Sequence, residues 1–177
     1  MTRKYMNDRW CVRCSRLGPT PYLRNHWQKL LPRNGAGEHI VSARIMDIGC
    51  GNGRNVEFMR RQGYTNTVAF DMANDYGYKI TLGRERFPLL DDSVSVVLAN
   101  YVFMFLDPKE RKQVIKEIKR LADPGYTGCR IMVELYPAKD SFAKTDAQCT
   151  ALQKELFEQL GWYKVLYSKH RFIARNH

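Results

Sequence analysis

The chain has 177 residues, 44% of them hydrophobic and 27% charged, with a formal net charge of +11. That length suits one domain with a single core, and that composition excludes a chain dominated by disorder. The opening "MTRKYMNDRW" has no apolar core of the kind a secretory signal needs, and the longest uncharged run, residues 93–106, has 14 residues. A transmembrane helix requires about 18, so a cytoplasmic protein is expected.

Residues 1–33 hold eight Lys or Arg against Asp8, and residues 161–177 hold Lys164, Lys169, Arg171 and Arg175 with no acid, which leaves residues 34–160 neutral. The cationic character is an addition at both ends. Charge excess is often only a solvated face. Here Arg alternates with Tyr5, Trp10, Tyr22 and Trp27 in the N-terminal arm, a pattern that also suits phosphate contact with base stacking. Five cysteines, an odd number without secretory context, are expected as free thiols. Cys11 and Cys14 form one C-x-x-C, half of a tetrahedral zinc site, and the spacing of His26 and His39 does not complete it as a finger, so no metal is expected.

In chain order, Gly18-Pro19-Thr20-Pro21 is a break before "YLRNHWQKLL", a short amphipathic helix, and "PRNGAGEHIVS" reads as a loop. "ARIMDIG" is a short apolar strand closed by glycines. "RNVEFMRRQ" has helical spacing and stops at Gly63, and "TVAFD" is a second strand ending on Asp71. The segment 72–86 is ambiguous. "VSVVLAN" is a buried strand, and "PKERKQVIKEIKRL" is an amphipathic helix with Pro108 in its first turn and Val114, Ile115, Ile118 and Leu121 on one face. "RIMVELY" is a further strand, "DAQCTALQKELFEQLG" a helix, and "WYKVLY" with "RFIA" a terminal hairpin around residues 168–170. Strands alternating with helices imply a mostly parallel sheet covered on both faces. The expected organisation is one α/β domain over 1–177, with a basic aromatic arm or lid at 1–42 and a catalytic core at 43–177.

Chemistry concentrates in "IMDIGCGNGRN", residues 45–55. A glycine-rich turn between a strand and a helix lets backbone approach a ligand closely. Dinucleotide binders use G-x-G-x-x-G. Here Gly49, Gly51 and Gly53 are spaced G-x-G-x-G, Arg54 takes the slot of the third fingerprint glycine, and Asp47 precedes the turn. A carboxylate there suits a cofactor with a positive amino group and repels a diphosphate.

"MDIGCGNGR" resembles the first motif of class I S-adenosylmethionine-dependent methyltransferases. "VAFD" is similar to that family's second strand, whose terminal acid binds the ribose hydroxyls, and Asp71 lies 18 residues beyond Gly53. "FPLLDDSVSVVLANYVFMFL" resembles its fourth strand and the loop beyond, and "VIKEIKRLADPG" with "RIMVEL" its long helix, turn and fifth strand. The resemblance covers 43–135, and "GCGNGRN" and "MFL" look most like the tellurite-resistance group. Two departures stand out: only 15 residues, 72–86, fill the place of a helix, a strand and an adenine-binding acid, and Tyr126 breaks the family's Gly-Gly.

The resemblance implies a Rossmann-like class I fold, S-adenosyl-L-methionine as cofactor, and direct methyl displacement to a small-molecule or nucleic-acid acceptor. It assigns the cofactor to Asp47, Gly49, Cys50, Gly51, Gly53, Asn55, Asp71, Met72, Glu85, Phe87 and Asn100. Asp91 and Asp92 read as turn residues. Catalytic candidates at the reactive edge of the sheet are Asn100, Tyr101 and Glu134, with Tyr136, and with His26 if the arm folds over. A capping amide at Asn100, an inactive cofactor-binding or regulatory module and an NAD-dependent oxidoreductase are the alternatives.

Overall fold

In a computed structural model of the chain, residues 18–72, 76–125, 128–135 and 145–176 are described. Cys11, Cys14, Tyr5, Trp10, Tyr126 and Tyr136 lie outside them. The elements are helix α1 (Pro21–Leu30), strand β1 (Ile45–Ile48), α2 (Arg54–Arg61), β2 (Thr67–Asp71), β3 (Tyr78–Lys79), β4 (Val96–Asn100), a 3-10 turn (Phe103–Phe105), α3 (Pro108–Leu121), β5 (Arg130–Glu134), α4 (Asp146–Leu160), β6 (Tyr163–Ser168) and β7 (Arg171–Arg175). The seven strands form one sheet in the order β3-β2-β1-β4-β5-β7-β6. All neighbours run parallel except β7, which is antiparallel to both β5 and β6.

Helix boundaries follow local chemistry. Asp107 caps α3 in a reciprocal box with Glu110 and is followed by Pro108, whose missing N–H has no helical partner to lose. Thr145 and Gln148 form the same box on α4, which ends on left-handed Gly161. Thr20 caps α1 by accepting from Leu23 N at 3.2 Å.

Alternation along the strands builds two cores. Met46, Ile48, Val97, Ala99, Ile131 and Val133 meet α3 and α4 on one face. Ile45, Val96, Leu98, Met132 and Ile173 meet α1 and α2 on the other. Helix α1 contributes Tyr22, Leu23 and Leu30 to that second core, all buried. At ~1.5–3 kcal/mol for each buried large apolar side chain, those contacts hold α1 against the sheet by about 5 kcal/mol before entropy is counted. Within the segment 1–42, then, the helix is part of the packed domain, and only its other portions are left to the lid expectation. Cys50, Cys129 and Cys149 are buried free thiols. No helix among the described residues is long and apolar enough to cross a membrane.

Candidate active site

The turn after β1 stands where the chain order reverses direction across the sheet, with β2 on one side of β1 and β4 on the other. In open α/β sheets the crevice beyond the strand ends at such a point receives ligands. Gly49 N and Cys50 N both donate to Phe70 O, at 2.8 and 3.1 Å. Gly51 N donates to Asp71 Oδ2 at 2.9 Å, so the acid ending β2 braces the turn that follows β1. The three glycines have different neighbours. A Cβ on Gly49 would stand 2.7 Å from Val102, and one on Gly53 would stand 2.3 Å from the Tyr76 ring. At Gly51, with φ +54, a Cβ would meet nothing within 4 Å. The approach left open to a ligand is therefore the Gly51 side of the turn.

Asp47 lies at the floor of this turn, 1% exposed, and its Oδ2 has no hydrogen-bond partner among the described residues. Burial, then the nearby charge of Asp71, push its carboxyl up to about 8, with Arg54 opposing. An unsatisfied buried carboxylate oxygen beside an open backbone cradle fits an amino-bearing cofactor: the ammonium would supply the missing donor and the counter-charge. Asp47, Gly51 and Asp71 are the residues placed to hold such a group, with half-buried Met72 next in the chain.

A second polar cluster sits at the carboxyl ends of β4 and β5, where Asn100 pairs with Glu134. Glu134 is fully buried. Its Oε1 accepts from Thr20 Oγ1 and from Asn100 Nδ2, and its Oε2 accepts from Tyr101 Oη at 3.1 Å. Arg171 Nε stands 3.6 Å from that Oε2. Asn55 extends the network: its Nδ2 donates to Asn100 Oδ1 at 3.3 Å and its Oδ1 accepts from Thr20 N at 3.3 Å. Tyr101 adopts φ 61, a left-handed backbone that a bulky side chain avoids unless its surroundings impose it. Here Tyr101 N donates to Glu134 O at 2.8 Å. Burial, then the Glu134 charge, raise the Tyr101 phenol well above its ordinary value, so it remains a donor at neutral pH.

The structure thus brings Asn100, Tyr101 and Glu134 together and adds Asn55 to them. Glu134, with both oxygens engaged, is placed as an anchor between the chain entering α1 and the sheet. Cys50 is buried, its Sγ donating to Tyr76 O at 3.4 Å. Glu85 accepts from Thr81 N within its own turn. Phe87 is core, its ring centroid 4.9 Å from that of Phe70. Asp91 pairs with Arg86 and Arg120, and Asp92 adopts φ 54 in its turn. His26 is half-buried against Tyr22, and burial with the charges of Lys29 and Arg171 lowers its pKa. Three participants escape sequence reading. Thr20 reads in sequence only as part of the break at Gly18–Pro21, before the helix. Tyr76 and Arg171 carry no local signal, because their partners are distant in the chain.

A family model described as "Methyltransferase domain" matches residues 46–127. No curated protein sequence matches the chain. Among solved structures, a SAM-dependent methyltransferase from Aquifex aeolicus is 13% identical, with TM-score 0.61 over 93% of this chain and 96% of that one. The 1,6-didemethyltoxoflavin-N1-methyltransferase of Burkholderia thailandensis, with bound 1,6-didemethyltoxoflavin and S-adenosylhomocysteine, is 13% identical, with TM-score 0.68 over 98% and 84%. A putative S-adenosyl-L-methionine-dependent methyltransferase from Methanococcus maripaludis is 14% identical, with TM-score 0.65 over 98% and 93%. The narrower likeness to the tellurite-resistance group stays an expectation. The chain has the fold of the class I S-adenosylmethionine-dependent methyltransferases, and its residues 46–127 match the methyltransferase domain.

Proposed function

We propose that this protein binds S-adenosyl-L-methionine and transfers its methyl group to a small-molecule acceptor. The observation that carries the reading is the buried, unpartnered Asp47 Oδ2 beneath a glycine turn that is open at Gly51. A sulfonium supplies an electrophilic methyl for direct displacement, so the protein's work is alignment and exclusion of water. Asp47 receives the amino group, the Gly51 backbone admits the chain of the methionine portion, and Asp71 takes the ribose while bracing the turn. Asn100 and Tyr101 border the acceptor, and Glu134 positions both. Tyr101, whose hydroxyl proton goes to Glu134 Oε2, presents its phenol oxygen to a donor group of the acceptor. His26, held neutral near pH 7, accepts a proton where the acceptor must lose one.

A small acceptor is favoured because the polar groups at this edge are deeply buried: Thr20, Asn55, Asn100 and Glu134 are at most 7% exposed. The Burkholderia neighbour, spanned almost throughout, holds a small molecule. A second reading, cofactor binding without catalysis, draws on the short β3 and on Glu85 being engaged in its own turn, which leave the adenine side without an acid of the usual kind.

Calorimetric titration tests the cofactor. S-adenosylhomocysteine is expected to bind and Asp71→Ala to weaken it at least tenfold; affinity for NAD alone would overturn the assignment. Incubation with labelled methyl donor and pooled metabolites, RNA, DNA and protein tests the acceptor. Label is expected in the metabolite pool. Label confined to nucleic acid or protein would overturn the small acceptor, and cofactor binding without any labelled product would favour the second reading.

A further inference from the structure

The second core ends in a groove of about 460 Å³ lined by Lys29, Arg33, Arg130, Tyr163, Lys164 and Arg175 among others, with no carboxylate in its wall. Lys29 is in the last turn of α1, and Arg33 follows it. Arg130 opens β5, and Arg175, at the end of antiparallel β7, pairs with both Arg130 and Tyr163. The groove therefore lies at the amino-terminal edge of β5, whereas Glu134 and the glycine turn lie at the carboxyl edge. Four residue steps along β5 take the chain from Arg130 to Glu134, roughly 13 Å.

Several cations elsewhere are paired: Arg60 with Glu57, Arg84 with Glu110, Arg111 with Glu155, Arg120 with Glu117 and Asp91, and Lys169 with Asp146. Among the described residues none of the five groove cations has a carboxylate partner. Arg33 Nη1 donates to Gly37 O, and Lys29 gains from the α1 carboxyl terminus, but Arg130 Nη1 is buried without a hydrogen-bond partner. Burial, then the like charges of Arg175 and Arg33, depress the Arg130 pKa. Five uncompensated cations converging on one concavity leave a strong positive potential.

We propose that this groove docks the phosphodiester backbone of a single-stranded nucleic acid, away from the methyl-transfer edge. One phosphate would be served by two or three convergent donors, whereas these five come from α1, the loop after it and three strands, a spread that suits several anions in series. Three of the five are arginines, whose planar forks match phosphate oxygens. Tyr163, 54% exposed, gives the wall an aromatic ring beside the cations.

Fluorescence anisotropy with labelled RNA and DNA single strands of about 12 nucleotides, without cofactor, tests this independently of methyl transfer. The wild type is expected to bind, with log affinity falling linearly against log salt. Lys29→Ala with Lys164→Ala, both exposed, should reduce that slope by about 1.4 and weaken binding on the order of tenfold at 0.1 M salt. The difference isolates the groove from the rest of the basic chain. An unchanged thermal midpoint establishes that the variant is folded. Absence of wild-type binding, or an unchanged slope in the folded variant, overturns the proposal. Equal binding of polyglutamate would assign the groove to acidic protein surfaces, and displacement of the oligonucleotide by equimolar inorganic phosphate would assign it to a single anion; either refutes backbone docking.

Discussion

Asp47→Asn separates what the buried acid does for the ligand from what it does to the fold. With its carboxyl pushed from 3.8 to about 8, native Asp47 holds a proton over a range where the unfolded chain has lost it. Between these values the native state binds more protons, so stability falls as pH rises. The penalty is absent below about pH 4, grows through pH 5 to 8 and is constant above. At pH 7 the difference of about three units corresponds to a ceiling of about 4 kcal/mol, and at pH 5 to about 1.5 kcal/mol. Water reaching the carboxylate lowers both figures. An asparagine does not titrate, so urea unfolding at pH 5, 7 and 9 should show the variant gaining on wild type by about 2 kcal/mol or more between the first two conditions. Comparing pH values removes the amide's own hydrogen-bonding needs, which are the same throughout. The same variant should bind S-adenosylhomocysteine more weakly. Wild-type affinity should rise from pH 6 to pH 8, because the ligand's ammonium selects the ionised acid, and up to one proton should be released on binding. A stability difference that stays constant with pH would refute the assignment of a protonated Asp47.

Two further outcomes test the framework around the site. Thr20→Val removes the α1 cap and a hydroxyl donated to Glu134, a loss of about 2.5 kcal/mol in urea unfolding; in a double-mutant cycle with Glu134→Ala the coupling should be about 1.5 kcal/mol, and a value below about 0.5 would mean that the two do not act as a unit. Arg111 forks onto Glu155 through Nε at 3.1 Å and Nη2 at 3.2 Å while Nη1 donates to Leu106 O at 2.6 Å, so Arg111→Lys should lose about 2 kcal/mol by the same measurement, whereas a change within about 0.5 would show that the planar fork is dispensable.

The regular elements were legible because their signals are local. "PKERKQVIKEIKRL" carries an apolar face and a proline at its first position, and the helix occupies those residues. "TVAFD" and the terminal hairpin are short apolar or alternating runs bounded by turn residues, and they form β2, β6 and β7. What escaped were relations across the chain. Thr20, Asn55, Asn100 and Glu134 join four separate elements through a polar network that no periodicity encodes. The basic groove likewise needs the chain leaving α1 to meet the start of β5 and the end of β7. Charge counting located its two halves in sequence, and only the antiparallel return of β7 places Arg175 beside Arg130.

The shortened segment after Asp71 shows why the spacing G-x-G-x-G is not one signal but three. In this ambiguous segment, too short for the helix and strand that the resembled family fits there, Tyr76 reaches back to α2: its hydroxyl donates to Glu57 at 2.6 Å and accepts from Arg60 at 3.0 Å. Its ring lies where a Cβ on Gly53 would stand. Gly53 is therefore small for the sake of a protein side chain, as the third glycine of a dinucleotide fingerprint is small for helix packing. Gly49 is small for Val102. Only Gly51 faces open space, and its N–H is the one tied to Asp71. A ligand held by this turn is thus confined between Gly51, the acid that braces it and the buried Asp47. That confinement places two carboxylates about one cradle, an arrangement that repels a diphosphate and favours a cation.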